Sequence, residues 1–166
     1  MVRQVVLRGD GFALAESLDG DQEWLSSTGD GAFDVDQDDR PKPFDAPVTR
    51  LVVTTEDGSE LLGGVSWHPV VYGRSAGCVA LNLGCTLLPS ARNKGIGAAL
   101  TRVLAKHLFD TSEVFRVEAS TDVANEPAQR TLERAGFTRE GVIRSAQLRG
   151  GELHDLVGYS ILRSDL

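Results

Sequence analysis

Residues 87–100 read LLPSARNKGIGAAL, with Arg92 and Lys94 directly before Gly95 and Gly97, where an apolar run of helical spacing begins. The first amides of a helix have no carbonyl partners, and the helix dipole places partial positive charge on them. A glycine there takes a positive φ and lets the backbone approach a bulky anion. The pattern therefore reads as a receptor for a diphosphate, with Arg92 and Lys94 adding charge beside it. Two other phosphate loops are disfavoured by spacing. A GxGxxG dinucleotide turn needs a small third residue and a strand leading almost directly into its first glycine. Here Leu100 stands third and six residues, Pro89 among them, separate Leu88 from Gly95, although Glu118 imitates the ribose-binding acid of that motif. No GxxxxGK[ST] stretch exists.

Such a loop needs a strand before it and a helix after it. The run GCVALNLGCTLL (77–88) supplies the strand, and Ile96, Leu100, Val103, Leu104 and Leu108 give the helix its apolar face over 95–109. Upstream, 2–8 reads as a strand, 11–18 and 21–27 as two short helices, and 29–47 as a loop carrying Pro41, Pro43 and Pro47. Residues 49–56 and 60–68 form a hairpin by pattern, its second strand weakened by Gly63 and Gly64. Downstream follow a strand at 114–119, a helix at about 126–135, and two strands joined at Gly150–Gly151. This order predicts one α/β domain over 1–166.

The chain has 166 residues, 41% of them hydrophobic and 25% charged, enough for one core. No apolar run approaches the roughly 18 residues of a membrane span, and the N-terminus lacks the apolar stretch of a signal peptide. A cytoplasmic protein is expected, with no membrane partner. The net charge is −7, and residues 9–39 hold ten of the 24 acids with no Lys or Arg. A basic footprint is missing, which disfavours nucleic acid as a partner. The acidic stretch reads either as a solvated surface segment or as a wall that attracts a cationic substrate. Cys78 and Cys85 lie in apolar sequence without a CxxC pair or nearby histidines, so buried thiols are expected rather than a disulfide or metal site.

The spacing Arg92-x-x-Gly95-x-Gly97 after a strand resembles the coenzyme A pyrophosphate loop of the GNAT superfamily of acyl-CoA N-acyltransferases. A second stretch, RVEASTDVANEPAQRTLERAGFTREGVIR (116–144), resembles the later motif of that family, and with GELHDLVGYSILR (151–163) it is similar to the Rim-type, ribosomal-protein branch. The likeness covers about 49–163. It implies a mixed, mostly antiparallel sheet of six or seven strands flanked by about four helices. That sheet would be splayed between 77–88 and 114–119, with Gly84 suiting a bulge at the splay. It further implies acetyl-CoA as co-substrate and no metal, with a homodimer as a family-level expectation. By the same resemblance the residues that hold the coenzyme are Leu87, whose amide would face the acyl carbonyl, the loop Arg92, Asn93, Lys94, Gly95, Ile96 and Gly97, and Asn125. For Asn125 a helix N-cap before Glu126 and Pro127 is an equally good reading.

Acetylation of an amine needs a route for the amine's proton and one to the departing thiolate. Asn82 stands where many relatives carry a glutamate base, and Ala128 and Leu132 where they carry a serine or tyrosine acid. His68, ending the hairpin strand, is one replacement base, or an ordinary strand-end histidine. Glu118 is a second, relaying a proton through water, or simply pairing with Arg116. Trp67 suits either the acceptor cleft or packing, His154 either structure or the site, and Tyr159 suits the core. Three functions follow in order: an N-acetyltransferase acting on a primary amine of a small molecule or a protein N-terminus, a coenzyme-binding protein without turnover, and a nucleotide-binding oxidoreductase.

Overall fold

The computed structural model describes residues 3–34 and 47–166. Eleven elements follow one another: β1 (Val5–Gly9), β2 (Phe12–Ala15), α1 (Asp21–Thr28), β3 (Thr49–Thr54), β4 (Leu61–Val71), β5 (Val79–Leu87), α2 (Ile96–Thr111), β6 (Arg116–Asp122), α3 (Glu126–Arg134), β7 (Thr138–Arg149) and β8 (Glu152–Leu162). The strands form one eight-stranded sheet in the order β1-β2-β3-β4-β5-β6-β8-β7. All neighbours are antiparallel except β5 and β6. Parallel neighbours require a crossover, and α2 supplies it.

The mixed α/β class agrees with expectation, while the counts are eight strands and three α-helices among the described residues. The difference begins at 11–18, where the expected helix is a strand. Asp10 and Gly11 make a two-residue turn, Gly11 at φ +80°, which pairs Gly9 with Phe12. Phe12, Ala13, Leu14 and Ala15 are all buried between β1 and β3. An apolar run that short carries no period to separate strand from helix. The expected helix at 21–27 is α1, and the remaining strands and helices lie within a few residues of their expected bounds. Of the expected loop, Pro41 and Pro43 lie outside the described residues.

In-register neighbours share a face of the sheet. Leu81, Val117 and Ile161 form one such row, and Ala119 and Tyr159 another, on the face covered by Leu100, Leu104 and Leu108 of α2 and Leu132 of α3. Each fully buried leucine contributes about 1.5–3 kcal/mol of burial. Trp67, in register with Leu83, packs on this core face, so the packing reading holds for it. The opposite face carries α1 and the candidate site. No helix among the described residues is long and apolar enough to cross a membrane.

Candidate functional site

β5 and β6 pair only through Leu81 with Val117 and Asn82 with Glu118; beyond that row the two strands separate. Along β5 alternate residues turn their backbone groups to opposite edges. Leu88 donates its N–H to the Leu62 carbonyl on the β4 side. The backbone groups of Leu87, Cys85 and Leu83 accordingly face the opening, where no described strand pairs with them. Gly84, the expected bulge, stands in regular register with Ser66. The splay therefore arises from divergence of β6, without an extra residue in β5.

At the wide end of the opening lies the loop before α2. Gly95 caps the helix in the left-handed region (φ +80°), Asn93 shares that conformation (φ +62°), no side chain caps the helix, and no acid lies in its first turn. The contrast with α3 is direct: Asn125 Oδ1 accepts from the Ala128 N–H at 3.3 Å, and Glu126 sits in the first turn. The capping role of Asn125 is thus realised. One helix satisfies its own N-terminus and the other presents it. Gly97 serves closeness rather than dihedral freedom, since a Cβ there would stand 3.2 Å from Thr131 Cγ2 and 3.7 Å from Leu87 Cδ1. Exposed Lys94 lines a hollow of about 430 Å³ with Gly95, Ile96, Ala99, Asp10 and Gly11.

Arg92 departs from the expected role of adding free charge to the loop. Its Nε donates to the Leu87 carbonyl at 2.9 Å, and Nη1 and Nη2 donate to Asp30 at 2.5 and 3.0 Å. The guanidinium holds the Asp30 carboxyl well below its usual range, at about 2, with help from the Ala32 N–H. Arg92 therefore ties the segment after α1 to the rim of the opening. Beneath that segment, on the face away from the core, a cleft of about 260 Å³ is bounded by Leu25 and Ser26 of α1, Asp30, Arg50, Gly64 and Thr86, among others.

The two candidate bases lie on this same face. His68 is in register with Asn82, Asn82 with Glu118, and Glu118 with Ser160, so these side chains form one row at the apex of the opening. His68 and Glu118 are two strands apart, about 10 Å by strand spacing. Glu118 is 8% exposed, and its Oε2 accepts from Tyr72 Oη at 2.7 Å and Arg116 Nε at 3.0 Å. The pairing of Glu118 with Arg116 is realised, with Tyr72 as an unforeseen third member. The carboxylate pushes the Tyr72 phenol above its usual range. Arg116 also grips Glu140 at 2.7 and 2.5 Å and holds that carboxyl down at about 2.

The other singled-out residues divide plainly. Tyr159 is core, its hydroxyl donating to Glu133. His154 lies 3.6 Å from Asp122, which also pairs with Arg149. Leu132, where relatives carry an acid, is buried in the core. Cys85 packs on the core, and burial pushes its thiol up to about 12. Cys78 is less enclosed than expected: its sulfur lies 3.1 Å from Ser75 Oγ, which holds the thiol below its usual value. Sequence reasoning missed Asp30, Arg50 and Tyr72 as site residues. No spacing marks them, because each comes from a different element.

A splayed parallel strand pair, a presented helix N-terminus at its wide end and a cleft on the face away from the core, bounded by the C-terminal half of β5, are the defining features of this α/β fold. The chain belongs to the acetyltransferase (GNAT) domain family, whose profile matches residues 11–138, reaching further forward than the motifs alone. It is 35% identical over 110 residues to YdaF of Bacillus subtilis (strain 168), named as a candidate ribosomal N-acetyltransferase, the aligned part covering 66% of this chain and 57% of that protein. The chain thus spans little more than half the length of that relative. Mycobacterium smegmatis RimJ, solved with CoA-disulfide, shares the fold at a TM-score of 0.73 and 17% identity, covering 93% and 83% of the two chains. Spermidine N-acetyltransferase from Vibrio cholerae, solved with CoA and spermine, does so at 0.74 and 17%, covering 95% and 98%.

Proposed function

We propose that this chain is a single-domain, acetyl-CoA-dependent N-acetyltransferase that moves an acetyl group to a primary amine by direct attack on the thioester. The observation that carries the reading is the junction of the open β5 edge with the uncapped N-terminus of α2. Both are backbone surfaces with unspent donors, aligned so that one extended ligand with a diphosphate at one end satisfies both. The residues present fit such a ligand. Amides from Gly95 onward and exposed Lys94 suit the diphosphate. Leu83 and Cys85 offer strand-like donors and acceptors to the arm, while at Leu87, whose carbonyl already accepts from Arg92, the N–H is the expected donor to the acyl carbonyl. Asn125 lies in the motif position for a second contact, alongside its capping role.

When bound, acetyl-CoA supplies the activated acyl group. What the chain adds is position and a proton route. An amine entering the 260 Å³ cleft meets the opening from the face that bears His68 and Glu118. Of the two, Glu118 is favoured as proton acceptor, because it stands in the row where the strands part and its carboxylate is fixed in position by Tyr72 and Arg116. His68 lies on the far side of Asn82. Reprotonation of the thiolate needs no protein acid, since a thiol of ordinary pKa near 8.5 takes its proton from water. Neither a homodimer nor a nucleic-acid or membrane partner is required by this mechanism.

A thiol-release assay with acetyl-CoA and a panel of primary amines tests the reading. Acetylated product from any of them is the expected result. CoA binding without thiol release would favour the alternative, a coenzyme-binding protein without turnover, which the empty acid positions Ala128 and Leu132 keep in view.

A further inference from the structure

The floor of the acceptor cleft carries an arrangement that acetyl transfer by itself does not require. Arg50 on β3 is in register with Ser66 on β4, which is in register with Gly84 on β5. The neighbouring row runs Val52, Gly64, Thr86. In-register residues share a face, so Arg50, Ser66 and Thr86 rise together, while Gly64 and Gly84 leave the space between them clear of side chains. All six except Val52 line the 260 Å³ cleft. The cleft has a second guanidinium, that of Arg92, but Asp30 and the Leu87 carbonyl occupy it. Arg50 is different: among the described residues its exposed side chain has no ion pair or hydrogen bond, its ladder pairing with β4 being made by the backbone. A guanidinium that shares a cleft with two hydroxyls offers the kinds of donor a carboxylate accepts, a planar fork and O–H groups.

We infer that Arg50, with the hydroxyls of Ser66 and Thr86, binds a carboxylate on the acceptor, which is therefore a small amino acid-like molecule with an amine at one end and a carboxylate at the other. The inference rests on the transferase reading of the same cleft and narrows its substrate class. The cleft volume suits a small molecule, being below the ~300 Å³ at which drug-sized sites begin. A polyamine, all cation, would leave Arg50 unmatched and repelled.

The test compares kcat/KM for ω-amino acids from glycine to 6-aminohexanoate with the amino amides and diamines of equal length, in the wild type, Arg50→Gln and Arg50→Lys. The wild type should prefer the best acid over its amide by about tenfold or more. Arg50→Gln should bring that ratio to about one through a larger fall for the acid than for the amide, and Arg50→Lys should restore part of it. Equal rates for acid and amide, preference for the diamine, or an equal fall for acid and amide in Arg50→Gln would overturn the inference. Calorimetric titration of the same acids into the CoA-saturated protein makes the test independent of turnover. Acetyl transfer without carboxylate preference would remove the role of Arg50 and leave the transferase standing. Carboxylate binding lost in Arg50→Gln, without transfer, would support the role and remove the transferase. Neither transfer to nor binding of any acid in the series would overturn the inference.

Discussion

The two sides of the opening are built from different materials. The coenzyme side is backbone: the free edge of β5, the amides leading into α2, and two glycines, one chosen for a left-handed dihedral and one for closeness to Thr131. The acceptor side is side chains: Asp30, Arg50, Ser66 and Thr86, and at the apex His68, Glu118 and Tyr72, drawn from five separate segments. A backbone site constrains consecutive residues, so it writes a contiguous motif. A side-chain site draws one residue at a time from distant segments and leaves no spacing to find.

If that division is right, substitutions on one side should leave the other side's binding intact. The largest effect is expected from Gly97→Trp, whose indole would have to displace Thr131 and Leu87. CoA affinity by calorimetry should fall at least 100-fold, about 2.7 kcal/mol, with the far-UV spectrum unchanged. Glu118→Gln should come next, lowering kcat by about 100-fold while leaving KM for acetyl-CoA as it was. A matching fall in Glu118→Gln coenzyme affinity would break the division. Asp30→Asn loosens an exposed ion pair, so steady-state kinetics should show the acceptor KM rising only about twofold to fivefold, again without change in coenzyme affinity.

Two smaller effects probe the frame that holds the sides together. Cys85, with its thiol at about 12, should resist iodoacetamide at pH 8 until the protein unfolds, whereas Cys78 should label first; peptide mass mapping separates them. The Glu140 carboxyl is lowered from 4.5 to about 2 by Arg116. Its contribution is fully present above pH 4.5 and is lost as the pH falls toward 2. Urea midpoints of wild type and Glu140→Gln should therefore converge through that window and keep a constant gap above pH 5.

Legibility followed the same division. The turn at 92–97 and the α2 helix were readable because helical apolar spacing and paired glycines are local signals. β2 is indistinguishable from a short helix in sequence because four buried residues, preceded by a two-residue Asp10–Gly11 turn, carry no period. The sequence context of Arg92 points to phosphate charge, yet its partner Asp30 lies 62 residues away, a pairing that only the folded chain creates. Glu118 had both its roles visible, but Tyr72 reaches it from the end of β4, across β5.

Residue-resolved hydrogen–deuterium exchange with and without acetyl-CoA tests the central claim most directly. The account predicts slowed exchange at the amides of 83, 85 and 87 and of 95–98, with β7 unaffected. Unchanged exchange at those amides under saturating acetyl-CoA, or protection appearing elsewhere instead, would contradict it.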